Sequence, residues 1–367
     1  MVTVTIIPLM SGRVAEGGTV QQVLARLQAA RGAGEVFGSV DTAEELGRAY
    51  RRATKTCHPD LYPDDAQTAR DAFVLLTRWY EIAREQLRHG AYGQAPPPST
   101  VRLQHKGRVY QVDPAAAFQG DFCTVYRGAH ASQSVAVKVA RKARDNDLLF
   151  GERAALRRIE ERVDKRYHPF FPGLLDGFVY QDGPREQRAT NVLSWVSGAY
   201  TLEEIRREYV AGVDPKDVAW MWRRLLLALG AAHRVGMVHG AALPPHVCVL
   251  PAEHGLVLLG WTCAVEAGCP IPAISSAYES WYPEEVMHKE PALPATDVAM
   301  GARCMLFLLG EDAPAAFSRF FRGCLLPSLR QRPQDAWALL REFDDLLARL
   351  WGPRRFHPFA VPAPCPR

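Results

Sequence analysis

Arg48, Arg51, Arg52 and Lys55 stand at i, i+3, i+4 and i+7, so a helix would carry them on one face, and His58-Pro59-Asp60 follows directly. A cationic helix face that ends in a stiff, partly acidic turn is a docking surface for an acidic partner. The blander reading is a solvated helix face followed by an ordinary turn. A second group bears on phosphate chemistry. Gly120, within Phe118-Gln119-Gly120-Asp121-Phe122-Cys123, precedes Val135-Ala136-Val137-Lys138. Alone, such a glycine serves only a turn; followed by a strand ending in lysine it becomes informative. A third feature is a lack: no Asp or Glu occurs over 239–252 or over 254–265. The cysteines are not in metal-ligand spacing with nearby histidines, Cys263 and Cys269 included, and read as buried free thiols. Ser275, Ser276 and Tyr278 read as short polar loop residues open to modification.

These residues need elements to position them. Leu46, Ala49, Tyr50 and Ala53 oppose the cations and give that helix a core face, with a capping-box start at Asp41-Thr42 and Glu44. The spacing of Phe73, Leu76, Tyr80, Ala83 and Leu87 predicts a second helix over 66–88 with one apolar stripe. Pro96-Pro97-Pro98 marks a semi-rigid linker over 90–100. Beyond it, β-like runs are expected over 101–112, 124–127, 134–139, 178–181 and 191–195, then helices over 215–234, 296–309 and 333–350. Strands followed by helices predict an α+β domain rather than alternating βαβ units. Residues 352–367 carry five prolines and read as an irregular tail. In the N-terminal extension, 1–34, Val2 to Thr5 alternates like a strand, and Val20, Val23, Leu24 and Leu27 share a helix face.

The chain has 367 residues, 48% hydrophobic and 23% charged, which suits two globular domains and excludes a largely disordered or fibrous chain. A net charge of +4, without a basic-aromatic pattern, gives no argument for nucleic acid. The longest uncharged apolar run, Gly255 to Val265, is too short to cross a bilayer. The start MVTVTIIPLM lacks the basic residues of a secretory signal, so a cytoplasmic protein with reduced thiols is expected.

Tyr50-Arg51-Arg52-Ala53, Cys57-His58-Pro59-Asp60, Ala72-Phe73, Leu76 and Tyr80-Glu81 occur in an order that resembles the J domain of DnaJ-like co-chaperones, over 35–89. The family's short first helix is represented only by Glu35-Val36-Phe37-Gly38. The resemblance implies that His58, Pro59 and Asp60 trigger ATP hydrolysis by a DnaK-type chaperone, and that Arg48, Arg51, Arg52 and Lys55 dock it.

Phe118 to Val125, Lys138, Glu152, His168-Pro169, a hinge-like Ser194-Trp195-Val196, His239, Tyr282-Pro283-Glu284, Asp297 and Arg332-Pro333 form a series that resembles the eukaryotic-like protein kinase fold over 101–351. The expected fold is therefore an N-terminal helical J-like domain followed by a bilobal kinase-like domain, with a small β-rich lobe and a large helical lobe. The resemblance implies that Gly120, Lys138, Glu152 and Trp195 line a nucleotide cleft, with Glu160 or Glu161 as alternative partners of Lys138. It pairs Glu284 with Arg332, and it makes Asp297 the anchor of the catalytic-loop backbone and His239 a core residue. The positions of the base and the two metal ligands are Ala241, His246 and Gly260. Phosphoryl transfer needs an acid and oxygen-bound magnesium, which these residues do not supply. The sequence therefore reads as a pseudokinase with no catalytic or metal-ligating residue. No cofactor is required, although ATP or ADP held without metal fits the cleft. The expected function is an adaptor that recruits a DnaK-type chaperone to an unknown protein client, with no nucleic-acid or membrane partner. A divergent ATP-dependent Ser/Thr protein kinase using Glu253 or Glu266 as a displaced ligand, and a pure interaction scaffold, are the alternatives.

Overall fold

The computed structural model describes residues 19–30, 32–88, 92, 101–182, 186–310 and 314–361. The strand expected at Val2 to Thr5, the linker apart from Tyr92, and the end of the tail lie outside the described residues. The chain divides into two compact units, Met1–Ser99 and Thr100–Arg367.

Among its described residues the first unit holds α-helices α1 (Val20–Ala29), α2 (Ala33–Phe37), α3 (Ala43–Thr54) and α4 (Ala66–Arg88). Thr19 starts α1 with a reciprocal capping box to Gln22, which satisfies otherwise orphaned donors of the first turn. Val20, Val23 and Leu27 then share one core with Leu46, Ala49, Ala53, Leu76 and Ala83, so the described part of the N-terminal extension packs with the helices that follow. The Trp79 indole N–H donates to the carbonyl of Leu27 at 3.1 Å. The start of α3 differs by one residue from expectation. Thr42, not Asp41, is the N-cap; its hydroxyl accepts from the Glu45 N–H at 3.2 Å, while the Glu45 carboxylate accepts from the Asp41 N–H at 3.0 Å. Tyr50 and Tyr80 stack at 4.3 Å and fix α3 against α4.

The second unit opens with a six-stranded antiparallel sheet in the order β1-β2-β3-β4-β6-β5. Its strands are β1 (Val101–His105), β2 (Arg108–Gln119), β3 (Cys123–His130), β4 (Gln133–Ala140), β5 (Leu174–Asp182) and β6 (Glu186–Ser194). The single run expected over 101–112 is a hairpin. Lys106 and Gly107 both take positive φ, +45° and +78°, the backbone a two-residue turn between twisted strands requires. Although β1 and β5 are opposite margins of the sheet, side chains bridge them. Asp176 binds His105 at 3.0 Å and the Tyr110 hydroxyl at 2.8 Å, and Arg108 donates to the Leu175 carbonyl at 2.7 Å. Helix α5 (Asn146–Arg162) packs on β6 and β5.

The helical part comprises α6 (Leu202–Glu208), α7 (Pro215–Arg234), α8 (Glu284–Met287), α9 (Pro294–Leu309), α10 (Ala315–Gly323) and α11 (Ala336–Trp351). Short strands β7 (Tyr200–Thr201), β9 (Val247–Leu250) and β10 (Gly255–Leu258) form a three-stranded sheet, and β8 (Met237–Val238) pairs with β11 (Val265–Glu266). Helices α7 and α9 are buried on nearly every side, and Trp222, Leu225, Met305 and Phe321 belong to one core. After α11 the described residues, 352–361, form no helix or strand, yet they are seated on the lobe. Phe359 is buried against Trp220 and Tyr209, and His357 bonds Asp217 at 3.0 Å. No described helix is long and apolar enough to cross a membrane.

Candidate functional site

In the first unit, Arg48, Arg51, Arg52 and Lys55 are exposed, while Leu46, Ala49 and Ala53 on the other side of α3 are buried. The cations run directly into the His58-Pro59-Asp60 turn, whose last two residues begin a 3-10 turn, Pro59–Leu61. His58 caps that turn: its Nδ1 accepts from the Asp60 N–H at 3.3 Å, which places a neutral ring's proton on Nε2. Its ring also meets the Phe73 edge at 5.6 Å. Proline at the first position fixes φ and lacks the donor that a helix start would leave unpaired. The turn is thus held from both sides, with the Asp60 carboxylate largely in solvent. Leu61 and Val74 add exposed apolar surface, at 59% and 67% exposure, a feature the sequence did not single out.

In the second unit, Lys138 near the end of β4 is 6% exposed and its ammonium lies 2.7 Å from Glu152 on α5, which is fully buried. Glu160 and Glu161, the alternative partners, are exposed on the same helix. Burial works to lower the Lys138 pKa, but its electrostatic interactions with Cys123 and Glu152, with the Glu152 hydrogen bond, outweigh it and raise it. The second oxygen of Glu152 accepts from the Asn191 amide at 3.0 Å. That amide also donates to the Leu149 carbonyl at 2.9 Å, and its oxygen accepts from Arg153 at 3.0 Å. Asn191 was missed in the sequence. Its one signal was a polar amide inside the apolar strand Ala189 to Leu193, where asparagine is disfavoured unless something binds it.

Gly120 closes the turn at the start of β3, its N–H donating to the Cys123 carbonyl at 2.9 Å. Trp195, just past β6, is half-buried between the Phe118 ring at 6.3 Å and the Arg127 guanidinium at 5.3 Å.

The loop from His239 to Val247 is held by Asp297. Its carboxylate accepts from the His239 N–H at 2.7 Å, the Gly240 N–H at 2.9 Å and His233 at 2.8 Å. His239 is wholly buried, donates from Nε2 to the Leu259 carbonyl at 2.8 Å and stands edge-on to Trp261 at 4.6 Å. His246 donates from Nδ1 to the Ala241 carbonyl at 2.7 Å. Burial lowers both imidazole pKa values to about 4, so both rings are neutral at pH 7. Gly260 is left-handed (φ +78°), and a β-carbon there would fall 2.5 Å from the His246 ring. Ala241 is buried. No described cluster of three or more His, Cys, Asp or Glu side chains is placed to hold a metal ion.

Two expectations are corrected. Arg332 pairs with Glu285 at 2.7 Å, not with Glu284. Helix α8 starts after Pro283, and its first residue faces solvent while the second turns inward, where Thr296 also donates to Glu285 at 3.0 Å. Cys269 is exposed, whereas Cys57, Cys123, Cys248, Cys263, Cys304 and Cys324 are buried and free; Cys365 lies outside the described residues.

No family model and no curated protein matches the chain. Among solved structures, that titled "Structure of vaccinia related kinase 3" matches with a TM-score of 0.52 at 16% identity, over 70% of this chain and 93% of that chain. The likeness shows that this chain contains a protein-kinase-like fold.

Proposed function

We propose that this chain is a co-chaperone adaptor: its first unit engages a DnaK-type chaperone and stimulates its ATPase, and its kinase-like unit is a catalytically inactive module that binds a client or assembly partner. The observation that carries the reading is the exposed cationic face of α3 leading into a His58-Pro59-Asp60 turn braced on α4. Such a surface offers charge for steering and a pre-ordered tripeptide for contact. Inactivity is supported by Ala241 at the position of the base, and by His246 and Gly260, which leave magnesium without the oxygen ligands it favours. Linked units keep a bound client at a high effective concentration near the chaperone. The purified chain is expected to accelerate ATP turnover by a DnaK-type chaperone, and His58→Gln to abolish that acceleration while leaving the fold intact. Equal acceleration by the variant would remove the mechanism.

A second reading, a divergent Ser/Thr protein kinase, draws on the intact Lys138–Glu152 pair. It needs a displaced metal ligand, and of those considered Glu266 is already taken by Arg158, leaving the exposed Glu253. Transfer of labelled phosphate that vanishes in Lys138→Met would favour it. A pure scaffold is the reading left if neither assay gives a signal from the folded chain. Within the adaptor reading, the cleft can hold ATP or ADP through Gly120, Lys138, Glu152 and Trp195 without metal. Binding measured with and without Mg²⁺ tests this directly.

A further inference from the structure

The turn carrying Gly120 is tied down at both its base and its tip. Its base is moored to the end of β4: the Arg141 N–H donates to the Phe122 carbonyl at 2.9 Å, and the Arg141 guanidinium donates to the Gly120 carbonyl at 3.1 Å. Its tip reaches the segment that follows β11. The Asp121 carboxylate accepts from the Ser276 N–H at 3.1 Å and from the Ser276 hydroxyl at 3.4 Å. Next to it, Phe122 packs onto a cluster containing Ala241, Cys263, Ile271 and Tyr282. Ser276 sits in a segment that is itself tied down, because Tyr278 bonds Glu203 and the Tyr282 hydroxyl accepts from the Ser275 N–H at 3.0 Å. Lys138, Cys123 and Cys263 are all buried.

We propose that the Gly120–Cys123 turn is a lid, latched by Asp121 onto Ser276 and wedged by Phe122, and that opening this lid admits ligand to the Lys138–Glu152 pair. The ligand class, an adenine nucleotide held without metal, rests on the reading given above; the lid itself does not. Water-exposed hydrogen bonds and one half-buried ring hold the closure, which is the kind of contact that opens locally without global unfolding. A carboxylate introduced at Ser276 would face Asp121 and push the lid off, whereas loss of the Phe122 ring removes the wedge.

Buried thiols report opening without any nucleotide. Alkylation of the intact chain, mapped by peptide mass, is expected to modify Cys269 readily and Cys123 and Cys263 slowly. In Phe122→Ala and in Ser276→Asp, Cys123 and Cys263 should react at least about tenfold faster, while Cys304 and Cys324 in the helical core keep their protection. If Phe122→Ala also exposes Cys304, the surface variant Ser276→Asp decides alone. Wild-type labelling rates at Cys123 and Cys263 in both variants would overturn the lid. ADP titrations with and without Mg²⁺ separate the two claims. Faster labelling with no ADP binding to any form upholds the lid and removes the nucleotide reading, whereas ADP binding of equal strength to all forms overturns the gating.

Discussion

The imidazole of His246 stands where a β-carbon on Gly260 would fall, so the two positions exclude each other's alternatives. An aspartate at 260 would need both a left-handed backbone and the displacement of a ring tied to the Ala241 carbonyl. Gly260→Asp is therefore expected to destabilise the second unit by about 2–4 kcal/mol in chemical denaturation, the range for overpacking combined with backbone strain. Adding His246→Asn, a smaller side chain, should recover most of that loss, and a double variant no more stable than the single one would contradict the steric account. Ala241, His246 and Gly260 were singled out in the sequence from the order of motifs alone. Their coupling was not, because a glycine in a string of letters does not show which ring fills the space beside it. The pairing of Arg332 failed for a related reason: Glu284 and Glu285 are chemically identical, and only the start of α8 after Pro283 decides which one turns inward.

Helices with a strong apolar period were legible almost to their ends; 66–88 and 215–234 coincide with α4 and α7. Strands were harder, since the 101–112 run contains a turn marked only by Lys106-Gly107. The Asp176 bridge joins residues distant in sequence and left no local signal at all. The described tail was legible as irregular but not as packed. Phe359, isolated among prolines, lacks any periodicity, yet it is seated on Trp220. Truncation after Trp351 should cost about 1.5–3 kcal/mol, the value of burying one large apolar side chain, read as a lower denaturant midpoint for the second unit. An unchanged midpoint would mean that the strap contributes nothing. On α3, Arg51→Glu with Arg52→Glu should leave stability within about 0.5 kcal/mol, because both residues are exposed. On the adaptor proposal, the same pair should weaken stimulation of a DnaK-type chaperone's ATPase and reduce its salt dependence. A double variant as active as the parent would show that the cationic face is only solvated.

Two units with separate cores should melt as two transitions rather than one. Acid separates them further. His239 and His246 have folded pKa values of about 4 against 6.5 for a free imidazole. The unfolded chain therefore binds protons first as pH falls, so the stability these rings permit is complete above pH 6.5 and drains away toward pH 4. Together they make the second unit weaker by several kcal/mol over that interval, on the order of 3 kcal/mol per ring at the limit. Calorimetry at pH 7 and pH 5 should show the larger transition shifting down more than the smaller, and tryptophan fluorescence, to which the second unit contributes seven of the eight indoles, can assign it. Equal shifts would deny the buried rings this role. The bridge at Asp176 also has a consequence for encounters between molecules. A sheet usually leaves two bare margins on which a foreign strand can grow; here a newcomer entering between β1 and β5 near their bridged ends would first have to break the ties that Asp176 makes to His105 and Tyr110. At those ends a visitor to the small lobe must use its faces and loops, and molecules crowded at high concentration have one less place at which to zip together into fibres.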